Sequence, residues 1–316
     1  RLSSKTGTDS DTVSPNFQFV INSYSSATSA PMYTLNNSKT GAVVKTIVSN
    51  EAVEQKLAKY DVTPKEFFVL TTEKGHQLNA WMIKPKNFDA TKKYPVFMYQ
   101  YSGPGSQQVD NAWNSTDDYW FMMLAQQGYI VACVDGRGTG FKGAAFKKCT
   151  QKELGKYEVE DQIDAAKVIG KYNYVDASRI GIFGWSYGGF MSSNCLFQGA
   201  DVFKMAIAVA PVTSWRYYDS IYTERYMQTP QENASGYDNN SPINHVSKLK
   251  GNFLLIHGTA DDNVHVQNTM KMVEALVQAN KQFDWAIYPD KNHGIYGGKT
   301  RLQLYTKMTN FIKEKL

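Results

Sequence analysis

Apolar and polar positions change rhythm along the chain. Between residues 17 and 48 the apolar residues come in short runs, 17–24, 32–35 and 43–48, separated by turn-forming clusters such as Asn36-Asn37-Ser38. No helical spacing lies between them, so they read as strands of an all-β unit. A few strands cannot bury both faces alone, and this segment is expected to belong to something larger. From Glu51 the spacing turns helical, with Val53, Leu57 and Tyr60 on one face. Residues 67–72 and 77–83 read as paired strands about Glu73-Lys74-Gly75. Beyond them, strand-like runs at 96–101, 129–134, 180–183, 205–209, 253–256 and 283–288 alternate with helix-like stretches at 120–126, 157–170, 188–197, 266–278 and 299–315. Such alternation predicts an α/β fold with a mostly parallel sheet covered by helices on both faces.

Composition narrows the function classes. Of 316 residues, 42% are hydrophobic and 20% charged, which is ordinary globular usage. The net charge of +5 comes from 34 basic and 29 acidic residues that interleave, with no basic block longer than pairs such as Lys147-Lys148. A nucleic-acid partner would call for a clustered basic face, so none is expected. No apolar run approaches the roughly 18 residues of a membrane helix. The first residue is Arg1, without methionine or a signal-like segment, so the sequence reads as a processed or cropped chain. Cys133, Cys149 and Cys195 are odd in number and far apart, and neither a disulfide framework nor a metal site is expected from them.

The chemistry concentrates in Gly184-Trp185-Ser186-Tyr187-Gly188. A Gly-x-Ser-x-Gly pentad alone is weak, arising by chance in roughly a tenth of chains this long at average usage. Here an apolar strand precedes it and a small-residue helix follows, the context of a nucleophile elbow. The bend lifts the serine hydroxyl above the sheet, and the Tyr187 N–H at the helix start faces a developing oxyanion. A serine hydroxyl needs a base, and in this arrangement acid and histidine follow it in chain order. His293, in Pro289-Asp290-Lys291-Asn292-His293-Gly294, sits just past the last strand and is the expected base. His257 precedes the acid and reads as a structural turn residue, while His76, His245 and His265 lack any such context. The acid comes from Asp261-Asp262, and spacing does not choose between the two. The run Asp135-Gly136-Arg137-Gly138-Thr139-Gly140 has neither dinucleotide nor P-loop spacing.

These motifs, together with His257-Gly258-Thr259-Ala260-Asp261-Asp262-Asn263-Val264-His265, the stretch from Val209-Ala210-Pro211-Val212 to Arg225-Tyr226, Asp135-Gly136-Arg137-Gly138 and Glu158-Val159-Glu160-Asp161, resemble serine peptidases of the prolyl oligopeptidase family. The likeness runs from about Tyr33 to the end. It implies an α/β-hydrolase catalytic domain over residues 49–316, preceded at 1–48 by the remnant of the last blade of a β-propeller. It also implies a triad of Ser186, Asp261 and His293, favouring Asp261 over Asp262, and an oxyanion hole made by the Tyr101 hydroxyl and the Tyr187 amide. Around the residue before the cut bond it assigns Tyr187, Val212, Trp215, Tyr218, Tyr222 and Val264, an apolar lining suited to a pyrrolidine ring. Asn263 and Arg225 resemble groups that orient the substrate.

The activity implied is release of X-Pro or X-Ala dipeptides from peptide N-termini, with no cofactor, a homodimer as the assembly, and a periplasmic, secreted or cell-surface setting. Relatives grip the substrate amine with a glutamate pair on the propeller, and no such region precedes residue 1 in this sequence. A prolyl tripeptidyl or broader oligopeptidase is the alternative cut. An esterase would carry a His-Gly-Gly-Gly-type loop where this chain has Tyr101-Ser102-Gly103-Pro104-Gly105. A catalytically silent binding module would have lost the serine or the histidine.

Overall fold

A computed structural model describes residues 5–316 apart from 61 and 114. Residues 1–4 of the segment expected as a blade remnant lie outside the described residues. The first four strands, β1 (Thr8–Val13), β2 (Phe19–Ser26), β3 (Ser29–Asn37) and β4 (Val43–Val48), form an antiparallel sheet in chain order. The apolar pattern predicts the last three of these. It misses β1 because Thr8-Asp9-Ser10-Asp11-Thr12-Val13 holds one apolar residue and no alternation. This sheet buries Val20, Ala30 and Thr34 and leaves Val43, Val44, Ile47 and Val48 exposed.

After α1 (Glu51–Leu57) the chain builds an eight-stranded sheet. Its elements are β5 (Glu66–Thr71), β6 (Gln77–Ile83), β7 (Tyr94–Tyr99), α2 (Thr116–Gln126), β8 (Ile130–Asp135), α3 (Ala144–Lys148), α4 (Lys156–Gly170), β9 (Val175–Trp185), α5 (Tyr187–Gln198), β10 (Met205–Val209), α6 (Ser220–Met227), α7 (Ala234–Asn239), β11 (Asn252–Gly258), α8 (Gln267–Gln278), β12 (Asp284–Tyr288) and α9 (Thr300–Lys315). The spatial order is β12-β11-β10-β9-β7-β8-β6-β5. Pairing is antiparallel where β6 meets β5 and β8 and parallel elsewhere.

The strand period of two explains the core. Ile182, Ala206 and Leu255 face one apolar layer with Phe190, Met191 and Met272 from α5 and α8. Their neighbours Phe183, Ile207 and Leu254 face the other, with Phe121 from α2 and Leu304, Met308 and Ile312 from α9. Both faces are therefore dry, and each fully buried side chain of this size contributes roughly 1.5–3 kcal/mol. The start of α2 is set by a capping box: the Ser115 N–H donates to Asp118 Oδ2 at 2.7 Å while the Asp118 N–H reaches Ser115 Oγ at 3.4 Å. Asp118 also pairs with buried Lys65 at 2.7 Å.

Two features position the site. The strand order reverses at β7, with β8 on one side and β9 on the other, so a crevice opens at the carboxyl ends of β7 and β9. The strand expected at 96–101 ends at Tyr99, which puts Tyr101 on the loop above that crevice rather than in the sheet. The short α6 and α7 were not legible as helices. They are brief, and α6 depends on local capping, the Asp219 carboxylate accepting the Tyr222 N–H at 2.8 Å.

Candidate active site

Ser186 sits where β9 turns into α5, with φ 62° and ψ −118°, a conformation that side-chain-bearing residues rarely adopt. The turn is pinned by Ser186 N–H to the Val209 carbonyl at 2.8 Å and Phe190 N–H to the Ser186 carbonyl at 3.0 Å. Glycine is required on both sides. A Cβ on Gly184 would lie 2.4 Å from the Gly188 backbone, and one on Gly188 would lie 2.6 Å from the Gln100 carbonyl. Tyr187 opens α5, so its N–H belongs to the amides a helix leaves unpaired at its start.

Across the crevice, the Tyr101 hydroxyl faces the Ser186 side chain closely enough to feel it electrostatically. Burial pushes the phenol above its ordinary value and the neighbouring Ser186 hydroxyl opposes that shift only in part, so the group is neutral at working pH and able to donate. The loop bearing Tyr101 is fastened by Gln100, to which no motif points. Its buried Nε2 donates to the Gly188 carbonyl at 2.8 Å and to Ser192 Oγ at 3.1 Å. A glutamine at the end of an apolar strand was the available signal, since a polar group there must find partners.

His293 lies on the loop after β12, and its Nδ1 donates to Asp261 Oδ2 at 2.7 Å. Asp261 is buried while Asp262 is exposed, and it is Asp261 that His293 meets. Asp261 Oδ1 accepts the backbone N–H groups of Asn263 at 3.0 Å and Val264 at 2.9 Å. Burial would raise this carboxyl, but hydrogen bonds from His257 and His293, the charge of His293 and the Asn263 amide hold it well below the usual carboxylate range. It is anionic whenever the protein is folded near neutrality, as an acceptor for an imidazolium must be.

His257 departs from expectation. It reads in the sequence as a turn residue, yet it is the penultimate residue of β11 and fully buried. Its Nε2 lies 2.7 Å from the Val264 carbonyl and 3.1 Å from Asp261 Oδ2. A carbonyl only accepts, so Nε2 carries the hydrogen and the second contact steadies Asp261. His257 thus braces the carboxylate from behind, a role hidden in the sequence because the four-residue spacing spans a strand end and a loop.

The expected pocket residues come together as one aromatic cluster. Tyr187 and Trp215 have ring centroids 5.4 Å apart, Trp215 and Tyr222 stack at 6.0 Å, and Tyr218 meets Tyr222 edge-on at 5.3 Å. Tyr187, Val212, Trp215 and Val264 are buried, while Tyr218 and Tyr222 are half-buried and form the open side. Burial pushes the Tyr218 phenol up to about 12. Its hydroxyl donates to Asn263 Oδ1 at 2.7 Å, which links the pocket to the acid's loop. Arg225 stands exposed on α6, one turn beyond Tyr222.

Behind the cluster, the Tyr187 hydroxyl donates to Glu158 Oε1 at 2.7 Å, and Glu158 Oε2 accepts the Gly155 N–H at 3.1 Å. Burial pushes this carboxyl up to about 7, with the Tyr187 bond and the nearby backbone donors opposing. In the sequence Glu158 stands out only within a stretch that resembles the family, with no role attached.

The sequence profile described as "Prolyl oligopeptidase family" matches residues 114–316. The chain belongs to the prolyl oligopeptidase family. Among curated relatives, it is 44% identical over 276 residues to the "Probable dipeptidyl-aminopeptidase B" of Phaeosphaeria nodorum, covering 86% of this chain and 30% of that one. It is 48% identical over 245 residues to the protein so named in Trichophyton verrucosum, covering 76% and 27%. Among solved structures, dipeptidyl peptidase 4 of Porphyromonas gingivalis superposes with a TM-score of 0.97 at 51% identity, covering 100% of this chain and 44% of that one. A dipeptidyl aminopeptidase IV-like protein of Bacteroides ovatus gives 0.92 at 32%, covering 99% and 44%. The chain thus spans about 30% of the length of these curated prolyl oligopeptidase relatives. Among the described residues, no helix is long and apolar enough to cross a membrane.

Proposed function

We propose that this prolyl oligopeptidase chain is the catalytic part of a serine dipeptidyl peptidase that releases X-Pro or X-Ala dipeptides from peptide N-termini. Convergence at one sheet edge carries the reading. The Tyr101 hydroxyl faces Ser186, and the anionic Asp261 is bonded to His293 at 2.7 Å. In this reading Ser186 Oγ attacks the carbonyl carbon of the residue held by the aromatic cluster, and its proton passes to His293 Nε2. The negative charge that forms on the carbonyl oxygen is met by the Tyr187 N–H and by the Tyr101 O–H. His293 then protonates the leaving amine, and water repeats the sequence on the acyl-enzyme.

The apolar cluster of Tyr187, Val212, Trp215, Tyr218, Tyr222 and Val264 suits a proline ring or a small alanine side chain, because neither requires a polar partner. Asn263 and Arg225 are the groups proposed to hold the carbonyl of the residue before it. Residues 1–48 are proposed as the last blade of a β-propeller whose remainder supplies the anchor for the substrate amine.

The test compares Gly-Pro and N-blocked Gly-Pro anilides on the full-length protein and on the 316-residue chain. The full-length protein should strongly prefer the free amine. The shorter chain should react with a fluorophosphonate yet hydrolyse both anilides poorly and with weak preference, because an unanchored ammonium loses its opposing carboxylates. Equal selectivity in the two would place the amine anchor within this chain and overturn the propeller proposal. Release of tripeptides by the full-length protein would overturn the dipeptidyl one.

A further inference from the structure

The loop that presents His293 has an irregular path. Backbone φ is 55° at Asp290, 50° at Ile295, 107° at Gly297 and 52° at Gly298, all in the region that favours glycine. Misplacing a catalytic group by about 1 Å can cost 10²-fold in rate, so such a loop needs tethers. Two of them meet at one side chain. Trp185, the residue before Ser186, donates its indole N–H to the His293 carbonyl at 2.9 Å. Arg301, in the first turn of α9, lays its guanidinium over the Trp185 ring at 4.9 Å and over the Tyr296 ring at 4.5 Å, and Tyr296 is three residues beyond His293.

The rest of the guanidinium's surroundings keep it there. Tyr305 lies at 5.8 Å, and its hydroxyl accepts from Arg301 Nη1 at 3.2 Å and donates to Asp117 on α2. Arg301 Nε is buried without a hydrogen-bond partner among the described residues. Ring faces, rather than a full set of hydrogen bonds, therefore fix where the guanidinium sits. A planar guanidinium can lie against two rings at once, which a lysine ammonium does less well.

We propose that Arg301 is a positioning residue for the reaction: it clamps Trp185 and Tyr296 together and so holds the His293 loop in register with Ser186. The proposal rests on the reading of His293 as the general base. Arg301 reaches the catalytic groups through the Trp185 and Tyr296 rings, while Tyr305 holds it from α9. One cation thereby couples the strand that ends in the nucleophile to the loop that carries the base.

The experiment uses the full-length protein and the variants Arg301→Met, Arg301→Lys, Trp185→Phe and His293→Ala. For each, kcat, KM, the rate of fluorophosphonate labelling and Tm are measured, with kinetics taken well below every Tm. Arg301→Met should lower kcat and the labelling rate by about tenfold with KM within about twofold, since a displaced base affects the chemical step more than binding. Arg301→Lys should recover part of the loss. Trp185→Phe keeps a ring but removes the N–H, and should lose a similar amount. The Trp185→Phe/Arg301→Met pair should lose less than the product of the two, because both act through one contact. Arg301→Met with unchanged kcat and labelling, whatever its Tm, would make Arg301 a structural brace and overturn the proposal while His293→Ala stays inactive. If Arg301→Met does not fold, Trp185→Phe decides by the same kinetic readouts. Activity surviving in His293→Ala would instead overturn the base, and the clamp with it.

Discussion

In β10 every residue of Met205–Val209 is buried, whereas in β4 every residue of Val43–Val48 is exposed, although both are short apolar-rich runs. The difference lies in what covers them. Helices pack on both faces of the eight-stranded sheet, so a continuous apolar run is fully used, and its polar groups gather at the strand ends, where the chain leaves the sheet. The four-stranded sheet is tied to the rest through α1 and the loop at Asn111. Asn111 Oδ1 accepts the Ala27 N–H at 3.0 Å, the Asn111 carbonyl accepts from Thr8 Oγ1 at 3.0 Å, and Glu54 accepts the Ala30 N–H at 2.8 Å. Much of its apolar side chain stays open, Val43 at 58% and Val44 at 56% exposure. Of the residues proposed for catalysis, none comes from the smaller sheet. The residues proposed for catalysis thus share one region, while the other leaves an apolar face open.

Ser186→Ala should have the most severe consequence, and it probes that division directly. In the 316-residue chain it should abolish fluorophosphonate labelling, because loss of a triad nucleophile typically costs several orders of magnitude. Val44→Ser on the open face should leave the labelling rate unchanged and shift stability by no more than about 0.5 kcal/mol. Labelling that survives in Ser186→Ala would move the nucleophile elsewhere. Labelling lost in a folded Val44→Ser protein would show that the two sheets are not functionally separate.

The contrast in burial has a consequence for stability as well. Glu158 is fully buried behind the pocket, and its carboxyl is pushed up to about 7. The folded-state value lies above the unfolded one, so between about pH 4.5 and 7 the native protein binds more protons and its stability falls as pH rises. The loss is nil below the unfolded value and reaches roughly 3 kcal/mol above the folded one. Glu158→Gln should flatten that fall, measured as the urea-unfolding free energy at about pH 5 and about pH 7.5. Its amide oxygen can still accept the Gly155 N–H, and its NH2 can donate to the Tyr187 hydroxyl, which in the wild type donates to Glu158. Identical pH slopes for the two proteins would mean that no proton on Glu158 contributes.

The regions also differ in how far they could be read. Strong periodicity and long buried runs made the larger sheet legible: 205–209 and 77–83 match their observed strands, and most helices fall within a few residues. Ser186 stands out in the sequence because an elbow imposes glycines, and its strand–helix turn is there; His293 stands out because a base must follow a late strand, and it sits on that loop against Asp261. Asp261 against Asp262 was not settled by spacing, since one residue's shift on a loop reverses which carboxylate is buried. His257, Gln100 and Glu158 were invisible as supports, because each works through a partner 4, 88 or 29 residues away that no local pattern marks. In the small sheet β1 was lost for the opposite reason: a polar strand held by pairing with β2 carries no apolar signature.

A single hydroxyl should have the mildest effect. Tyr101→Phe leaves the ring in place beside Tyr187, 6.1 Å away between centroids, and removes only the hydroxyl that faces Ser186. The phenol is held above its ordinary value by burial, so it stays protonated and able to donate throughout the working range. Its bond strengthens as negative charge develops on the substrate oxygen, which makes it a transition-state contact. Turnover should therefore fall by about 10²-fold, somewhat under 3 kcal/mol of barrier, with KM little changed. Tyr33→Phe, which removes a hydroxyl from the smaller sheet, is the matched control and should leave both constants where they were. A Tyr101→Phe protein that changes only KM would make Tyr101 a substrate-binding residue. One as active as Tyr33→Phe would leave the Tyr187 amide as the sole donor from this pair, and the crevice between β7 and β9 would lose its proposed part in catalysis.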